Sequence, residues 1–499
     1  MNTNHNFTIN RIKKELQVQQ QKKQTNKYIL LYRVMKNCIL KHEIPHDWLL
    51  PSTRVLAQEL NLSRTTVIKA YELLLLEKLI LAKAGSGNRV NYDVTGEIDK
   101  SSEEITTVNI AHYPQISQKG ESYFKNITLI NRLPNENLAF RPGLPPLDVF
   151  PVNQWKNLLN VYWRHVKSSG LTYSNATGLI ELKKSICNYL NVSRNVICNP
   201  EQIVIVSGSL QSLYLIATTL IDRGDSVVLE NPVFPNVHSV FKSSEANLLP
   251  IDLDEYGIDI TQLNQLKEQP KLIHVTPSNQ YPMGIKMSLK RRQEVLDWAS
   301  RNKALVIEND YENEIANSDG IMPTIYSLDK EDRTIYMGTF NRLLHPSIRL
   351  GYMIVPKYLI KVVEALQEHS HRFVSPSIQV VMNQFIDKNY LYQHIKYSIE
   401  TARERYLLFK KEFEASNHSM VLQDKPFSSF HILAFFKEPV SASYEKELIK
   451  KLNDHHIVTF SLSKCYIEKP EKQGLIIGYS AVRPSVLSRQ VRKMVTLLK

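Results

Sequence analysis

Five short polar segments carry the residue types from which a ligand site could be built. Ser207-Gly208-Ser209-Leu210-Gln211 follows an apolar run and opens a helical pattern. The backbone N–H groups at such a helix start suit a phosphate. Glu230-Asn231-Pro232-Val233-Phe234-Pro235 places a ring after the next apolar run. That ring could stack on a planar ligand, although a buried core phenylalanine is the commoner outcome. Thr276-Pro277-Ser278-Asn279-Gln280-Tyr281-Pro282-Met283-Gly284 and Glu308-Asn309-Asp310-Tyr311 each trail a further run. The fifth segment, Asn341 to Arg349, supplies two guanidinium groups, Arg342 and Arg349, which together could bind a phosphate or a carboxylate.

The elements that must position these segments are legible around them. Buried-strand patterns occur at 203–206, 226–229, 271–275, 304–307, 334–337 and 350–355, with helical patterns such as 289–301 between some of them. That alternation predicts an α/β domain with a largely parallel sheet. Polar loops beyond the C-terminal ends of strands are where such sheets hold ligands.

Length and charge set the wider frame. A chain of 499 residues exceeds one ordinary domain. With 43% apolar and 22% charged residues, the composition is that of a globular protein. No apolar run approaches the ~20 residues that span a bilayer, and the first residues lack a secretion-signal pattern. The four cysteines (Cys38, Cys187, Cys198, Cys465) form no CxxC pair, which favours reduced thiols and a cytoplasmic location. Net charge is +13, and residues 1–90 contribute 15 Lys and Arg against 6 Asp and Glu, a net +9. Such asymmetry suggests a polyanion partner for the N-terminal part, with a solvated basic face as the alternative.

The N-terminal motifs favour the polyanion. Residues 1–26 read as a basic polar arm. An amphipathic stretch follows, with Ile29, Leu30, Val34, Ile39 and Leu40 at roughly helical spacing. From Leu50 to Tyr71 the pattern is two short helices and a tight turn, with Ser52 and Ser63 as candidate caps. Leu56, Ala57, Leu60, Val67, Ala70 and Leu74 supply the packing between them. Gly85-Ser86-Gly87-Asn88 then marks a hairpin. A helix-turn-helix with a wing places its second helix in the major groove of double-stranded DNA. Arg64, Thr65 and Thr66 would open that helix, the arginine able to pair with guanine and the threonines to touch phosphates or a thymine methyl. Arg54 and Lys69 suit phosphate contacts, and Ser63 adds helix-start N–H donors.

Residues Leu50-Pro-Ser-Thr-Arg54 through Ser63-Arg-Thr-Thr-Val67 resemble the signature of the GntR winged-helix family. The later motifs, with Phe140-Arg141-Pro142-Gly143, Gly178-Leu179 and Val206 to Ser212, resemble the aminotransferase-like domain of MocR-type regulators. That subfamily joins a winged helix to a fold type I, pyridoxal-phosphate-transferase-like domain. The resemblance spans nearly the whole chain. It implies a winged helix at 27–92, a linker at 93–137 and an aminotransferase-like domain at 138–499. In that domain a large part lies at about 170–360 and a smaller C-terminal α+β part at about 375–499.

Carried over by position, Gly208 and Ser209 would lie near the phosphate of pyridoxal phosphate, Phe234 would stack on its ring, Tyr311 would reach its phenolic oxygen and Arg349 would hold its phosphate. Two positions depart from the pattern. The family places a lysine at the position of Arg342, where its amine forms an imine with the cofactor. A guanidinium has a pKa above ~12 and no free amine, so Arg342 cannot form that bond. The family aspartate that keeps the ring nitrogen protonated is matched by the neutral Asn309. Asp310 is one residue along a strand and should face the other way. Arg483 lies near the place of a substrate-carboxylate arginine, in uncertain register.

The resemblance therefore implies a homodimeric DNA-binding regulator with a degenerate pocket. That pocket would hold pyridoxal phosphate noncovalently, hold another anionic effector, or serve only as structure. The alternative is an active pyridoxal-phosphate-dependent aminotransferase with a DNA-binding domain.

Overall fold

A computed structural model describes residues 2–19, 26–83, 87–92, 114–129, 139–316, 320 and 322–499. The chain divides into two compact units, Met1–Tyr113 and Pro114–Lys499.

The first unit holds helices α1 (Asn2–Gln19), α2 (Lys27–Leu40), α3 (Thr53–Glu59) and α4 (Arg64–Leu76), then strands β1 (Ile80–Lys83) and β2 (Gly87–Val90). The strands pair antiparallel, with Leu49 bridging to Arg89 beside them. Their connecting residues 84–86, which include Gly85 and Ser86 of the expected hairpin signal, lie outside the described residues. The buried face of α2 is Leu31, Val34, Met35, Cys38 and Ile39, a clean i, i+3, i+4, i+7, i+8 stripe. Of the positions read from sequence, only Val34 and Ile39 belong to it.

The expected arm at 1–26 needs correction, because most of it is helix α1. Ile9, Ile12 and Leu16 are buried in one core with Leu31, Leu56, Val67 and Leu74. Three apolar residues at i, i+3 and i+7 suffice to seat a helix, but the surrounding Asn, Lys and Gln residues hide the stripe in the sequence. Arg11 Nε donates to Glu43 Oε2 at 2.9 Å and ties α1 to the loop after α2.

The linker expected at 93–137 lies largely outside the described residues. Its described remainder belongs to the second unit, where helix α5 (Gln118–Asn126), capped by Ser117, packs on the helix Pro235–Ser243.

In the second unit, helices α6 (Val152–His165) and α7 (Ile180–Arg194) precede an eight-stranded sheet. Its strands are β3 (Ile203–Val206), β4 (Ser226–Asn231), β5 (Asn247–Asp254), β6 (Gly257–Ile258), β7 (Leu272–Val275), β8 (Leu305–Asn309), β9 (Thr334–Thr339) and β10 (Gly351–Ile354). The order is β3-β10-β9-β8-β7-β4-β5-β6. β4, β5, β7, β8 and β9 run parallel, while β10 is antiparallel to both β3 and β9. The alternation along β3 shows how the sheet divides two cores: Ile203 and Ile205 enter one cluster, Val204 and Val206 the other. No apolar run announces β5, a half-exposed strand with Pro250 in it, as suits a strand near the sheet edge.

The C-terminal part is a four-stranded antiparallel sheet, with β11 (Met420–Leu422), β12 (His431–Phe436), β13 (Phe460–Ser461) and β14 (Gly474–Gly478) in the order β11-β12-β14-β13. Helices Tyr390–Glu414 and Pro484–Leu497 pack on it through Phe409, Phe413, Leu487 and Val491. This is the α/β architecture with a smaller α+β part that the sequence implies. Among the described residues no helix is long and apolar enough to cross a membrane. All four cysteines are free, but two are not scattered in space: Cys198 Sγ donates to Cys187 Sγ at 3.1 Å. The turn at Asn195, which takes a left-handed φ of 53°, brings the chain back onto α7.

Candidate functional site

Two sites are separable, one in each unit. In the first, Ser63 caps α4, its hydroxyl accepting from Thr66 N at 3.2 Å. Burial of Val67, Ala70, Tyr71 and Leu74 fixes the rotation of that helix. The same rotation leaves Arg64, Thr65 and Lys69 exposed on one outward side. Ser52 caps α3 by accepting from Val55 N at 3.3 Å, and Tyr71 locks the preceding turn by donating to Pro51 O at 2.7 Å. Arg54 is exposed, and Lys69 Nζ lies 5.5 Å from the Tyr28 ring centroid. Thr66 is placed differently from its neighbours: it is half-buried, with its hydroxyl 2.8 Å from Ser63 Oγ. It therefore serves the cap, while Arg64 and Thr65 stay open. Among the described residues no carboxylate pairs with Arg54, Arg64 or Lys69.

The second site is a cavity of about 660 Å³ in the large unit. Ser209, Phe234, Asn309, Tyr311, Arg342 and Arg349 all line it. Gly208, at the cap of α8 (Ser209–Leu220), adjoins it with φ +128°, a backbone conformation that favours glycine. A Cβ there would overlap the Asn341 amide. That amide joins two strand ends, Nδ2 donating to Ser207 O at 3.3 Å and Oδ1 accepting from Leu350 N at 2.9 Å. Arg349 Nη2 reaches Ser207 Oγ at 3.4 Å, and among the described residues it has no carboxylate partner. Gly208→Ala is thus expected to cost about 1–3 kcal/mol of backbone strain and to weaken inhibition of ligand binding by inorganic phosphate, read by thermal unfolding and competition calorimetry.

The aromatic side of the cavity is Phe234 against Tyr281, with ring centroids at 4.8 Å, and Tyr311 beyond it at 6.3 Å from Tyr281. Burial holds the Tyr311 phenol well above its usual pKa, so it keeps its proton, yet among the described residues its hydroxyl has no hydrogen-bond partner. Asn309 faces His274, Nδ2 to Nε2 at 3.5 Å. Burial pushes the His274 imidazole down to about 3, so both groups are neutral at physiological pH.

Asp310 points to the opposite side of β8, as strand alternation requires. It accepts from Arg194 Nε at 2.8 Å and Nη2 at 3.1 Å, and from the Tyr336 hydroxyl at 2.6 Å. It cannot substitute for Asn309 at the cavity.

Arg342 lies inside the cavity, its Cζ 5.9 Å from the Phe234 centroid and 5.7 Å from that of Tyr311. It fills the space over Gly143, where a Cβ would overlap its Nη1. Among the described residues no lysine lines the cavity, and Lys330 is exposed elsewhere. Arg483 does not line it either; it caps the last helix, 3.6 Å from Asp148.

Sequence reasoning missed Glu312. It is buried, with φ +54°, and its Oε1 lies 3.6 Å from Arg342 Nη1. Ser429 donates to its other oxygen at 2.7 Å. The partner serine is 117 residues away, and only the fold brings the two together. Thr276, Tyr281, Asn341 and His345, from two of the polar segments read in the sequence but given no role there, also line the cavity, as do Arg141 and Thr339.

The residues test the fit of a pyridoxal-phosphate-type group directly. A phosphate fits at Gly208, Ser209 and Arg349, and the orphaned Tyr311 hydroxyl awaits an acceptor on a ring. Covalent attachment does not fit, because the group at position 342 is a guanidinium. A protonated ring nitrogen does not fit beside neutral Asn309 and His274.

The profile of the aminotransferase class I and II family matches residues 147–483. The probable rhizopine catabolism regulatory protein MocR of Rhizobium meliloti is 30% identical over 465 residues, 93% of this chain and 92% of that protein. The HTH-type pyridoxine biosynthesis transcriptional regulator PdxR of Corynebacterium glutamicum is 28% identical over 318 residues, 64% of this chain and 63% of its own. Among solved structures, the α-aminoadipate aminotransferase LysN of Thermus thermophilus, complexed with N-(5'-phosphopyridoxyl)-L-leucine, superposes with a TM-score of 0.68. Its identity is 18%, over 77% of this chain and 97% of that one, which shows a shared fold.

Proposed function

From its membership in the aminotransferase class I and II family, and there among the MocR-type helix-turn-helix regulators, we propose that the chain is a DNA-binding transcription regulator whose large domain senses an anionic ligand without transforming it. The observation that carries the regulator reading is the first turn of α4, where Arg64 and Thr65 stand exposed while the opposite face is fixed in the core. The partner is double-stranded DNA. Arg64 and Thr65 read bases, while Arg54, Lys69 and the capped helix starts at Ser52 and Ser63 hold phosphates.

The ligand is pyridoxal phosphate held noncovalently, or another anionic metabolite, bound through Ser209, Tyr311 and Arg349. Transamination is not its activity, since no lysine lines the cavity among the described residues. The protein acts in the cytoplasm as a homodimer, a state supported by Trp163, Leu171 and Tyr173, each more than half exposed.

Selection of bound duplexes from a random pool tests the regulator reading. The expected result is a reproducible sequence motif bound well above the pool. Binding without sequence preference, governed by salt alone, would refute it. Arg342→Lys supplies a second check. It is expected to gain covalent attachment to pyridoxal phosphate, read as a new visible absorbance band; its absence would show that a phosphorylated ring does not reach position 342.

A further inference from the structure

Around Arg342 the cavity calls for a narrower class of ligand than any phosphate. We propose that it takes a planar ring carrying a tetrahedral oxyanion and, beside it on the ring, a carboxylate, with Arg342 as the receptor of the carboxylate. This rests on the ligand-pocket reading above and narrows it.

The unsatisfied groups carry the argument. Arg342 Nη1 and Glu312 Oε1 are both buried, and neither makes a hydrogen bond among the described residues. At 3.6 Å they form an ion pair too long to be a hydrogen bond. Glu312 therefore offsets the charge from the buried side of the guanidinium, while the side chain as a whole keeps 19% exposure and lines the cavity. A planar carboxylate satisfies a guanidinium fork with two parallel N–H···O bonds. An aldehyde offers a single uncharged oxygen and cannot condense with a guanidinium.

The rest of the cavity sets the ligand's shape. Phe234 and Tyr311 flank the guanidinium at 5.9 and 5.7 Å, so a flat ring can lie beside it. The buried, protonated Tyr311 hydroxyl lacks a partner among the described residues and can donate to an acceptor on that ring. Elsewhere in the cavity wall, the start of α8 and Arg349 present N–H donors and a positive charge to a tetrahedral oxyanion. No aspartate or glutamate lines the cavity among the described residues. A position suited to a reactive amine has become one suited to an acid.

Two probes that differ only in this group test the proposal: pyridoxal 5′-phosphate and 4-pyridoxic acid 5′-phosphate, titrated into the full chain by calorimetry, with inorganic phosphate as competitor. The carboxylate probe is expected to bind about tenfold or more tighter, the size of a charged hydrogen-bond pair. Arg342→Gln is expected to abolish the preference, and Arg342→Lys, which keeps the charge and the fold, to turn it toward the aldehyde. Equal affinity of the native chain for both probes would overturn the carboxylate assignment while leaving the pocket reading intact. Binding of neither probe would remove both.

Discussion

Arg194→Met is expected to destabilise the large unit by about 3–5 kcal/mol, the cost of stranding a buried charge when its partner is removed. Arg194 is buried and Asp310 has a side-chain exposure of 0%, so no water replaces the lost bonds. The arginine also donates to Ser278 Oγ at 2.9 Å, so one substitution opens a network that braces α7 against β8. Removing the carboxylate as well, in Arg194→Met/Asp310→Asn, is expected to recover part of the loss, because the uncompensated charge is gone. Urea unfolding followed by tryptophan emission reads both effects, since Trp155, Trp163 and Trp298 report on this unit and only Trp48 on the other. A loss below about 1 kcal/mol in the single variant would mean that Asp310 is not held as a buried carboxylate. The same network keeps β8 in register, and β8 carries Asn309 and leads into Tyr311 at the cavity wall. Loss of the brace should therefore weaken ligand binding along with stability.

Arg64→Ala is expected to weaken binding to the selected duplex by about 1–3 kcal/mol and to relax preference at one base position. Arg64 is exposed and makes no hydrogen bond or ion pair among the described residues, and alanine is the better helix former, so α4 should persist. Titration at several salt concentrations distinguishes the two roles open to the side chain. A base contact leaves the salt slope nearly unchanged, whereas a phosphate contact lowers it by about one. Unchanged affinity would show that another face of the first unit meets DNA.

How far the sequence reveals this molecule depends on the range of the interactions involved. The helix-turn-helix was legible because caps, turn and apolar spacing are local: Ser52, Ser63, Leu56 and Val67 specify it within sixteen residues. The six strands from β3 to β4 in the sheet order were legible because burial on both faces writes a continuous apolar run. Helix α1 was not, since its buried stripe of Ile9, Ile12 and Leu16 is too sparse among polar residues to give a periodic signal. β5 was not, since a strand near the sheet edge is half polar. At the cavity, the lining residues on strand ends were accessible through their loops. The pairing of Arg342 with Glu312 was not, because it joins the loops after two neighbouring strands, and that of Glu312 with Ser429 was not, because it depends on the C-terminal part folding over the sheet. The chemical consequence of position 342 was readable from residue type alone: a guanidinium cannot do the work of an amine.

The measurement closest to the central claim is borohydride trapping of the full chain saturated with pyridoxal phosphate, with peptide mass mapping and a parallel calorimetric titration. The account predicts saturable binding that inorganic phosphate displaces and that leaves no stoichiometric adduct on any lysine. A stoichiometric, phosphate-sensitive adduct at a single lysine would contradict it and make the large domain a covalent pyridoxal-phosphate site.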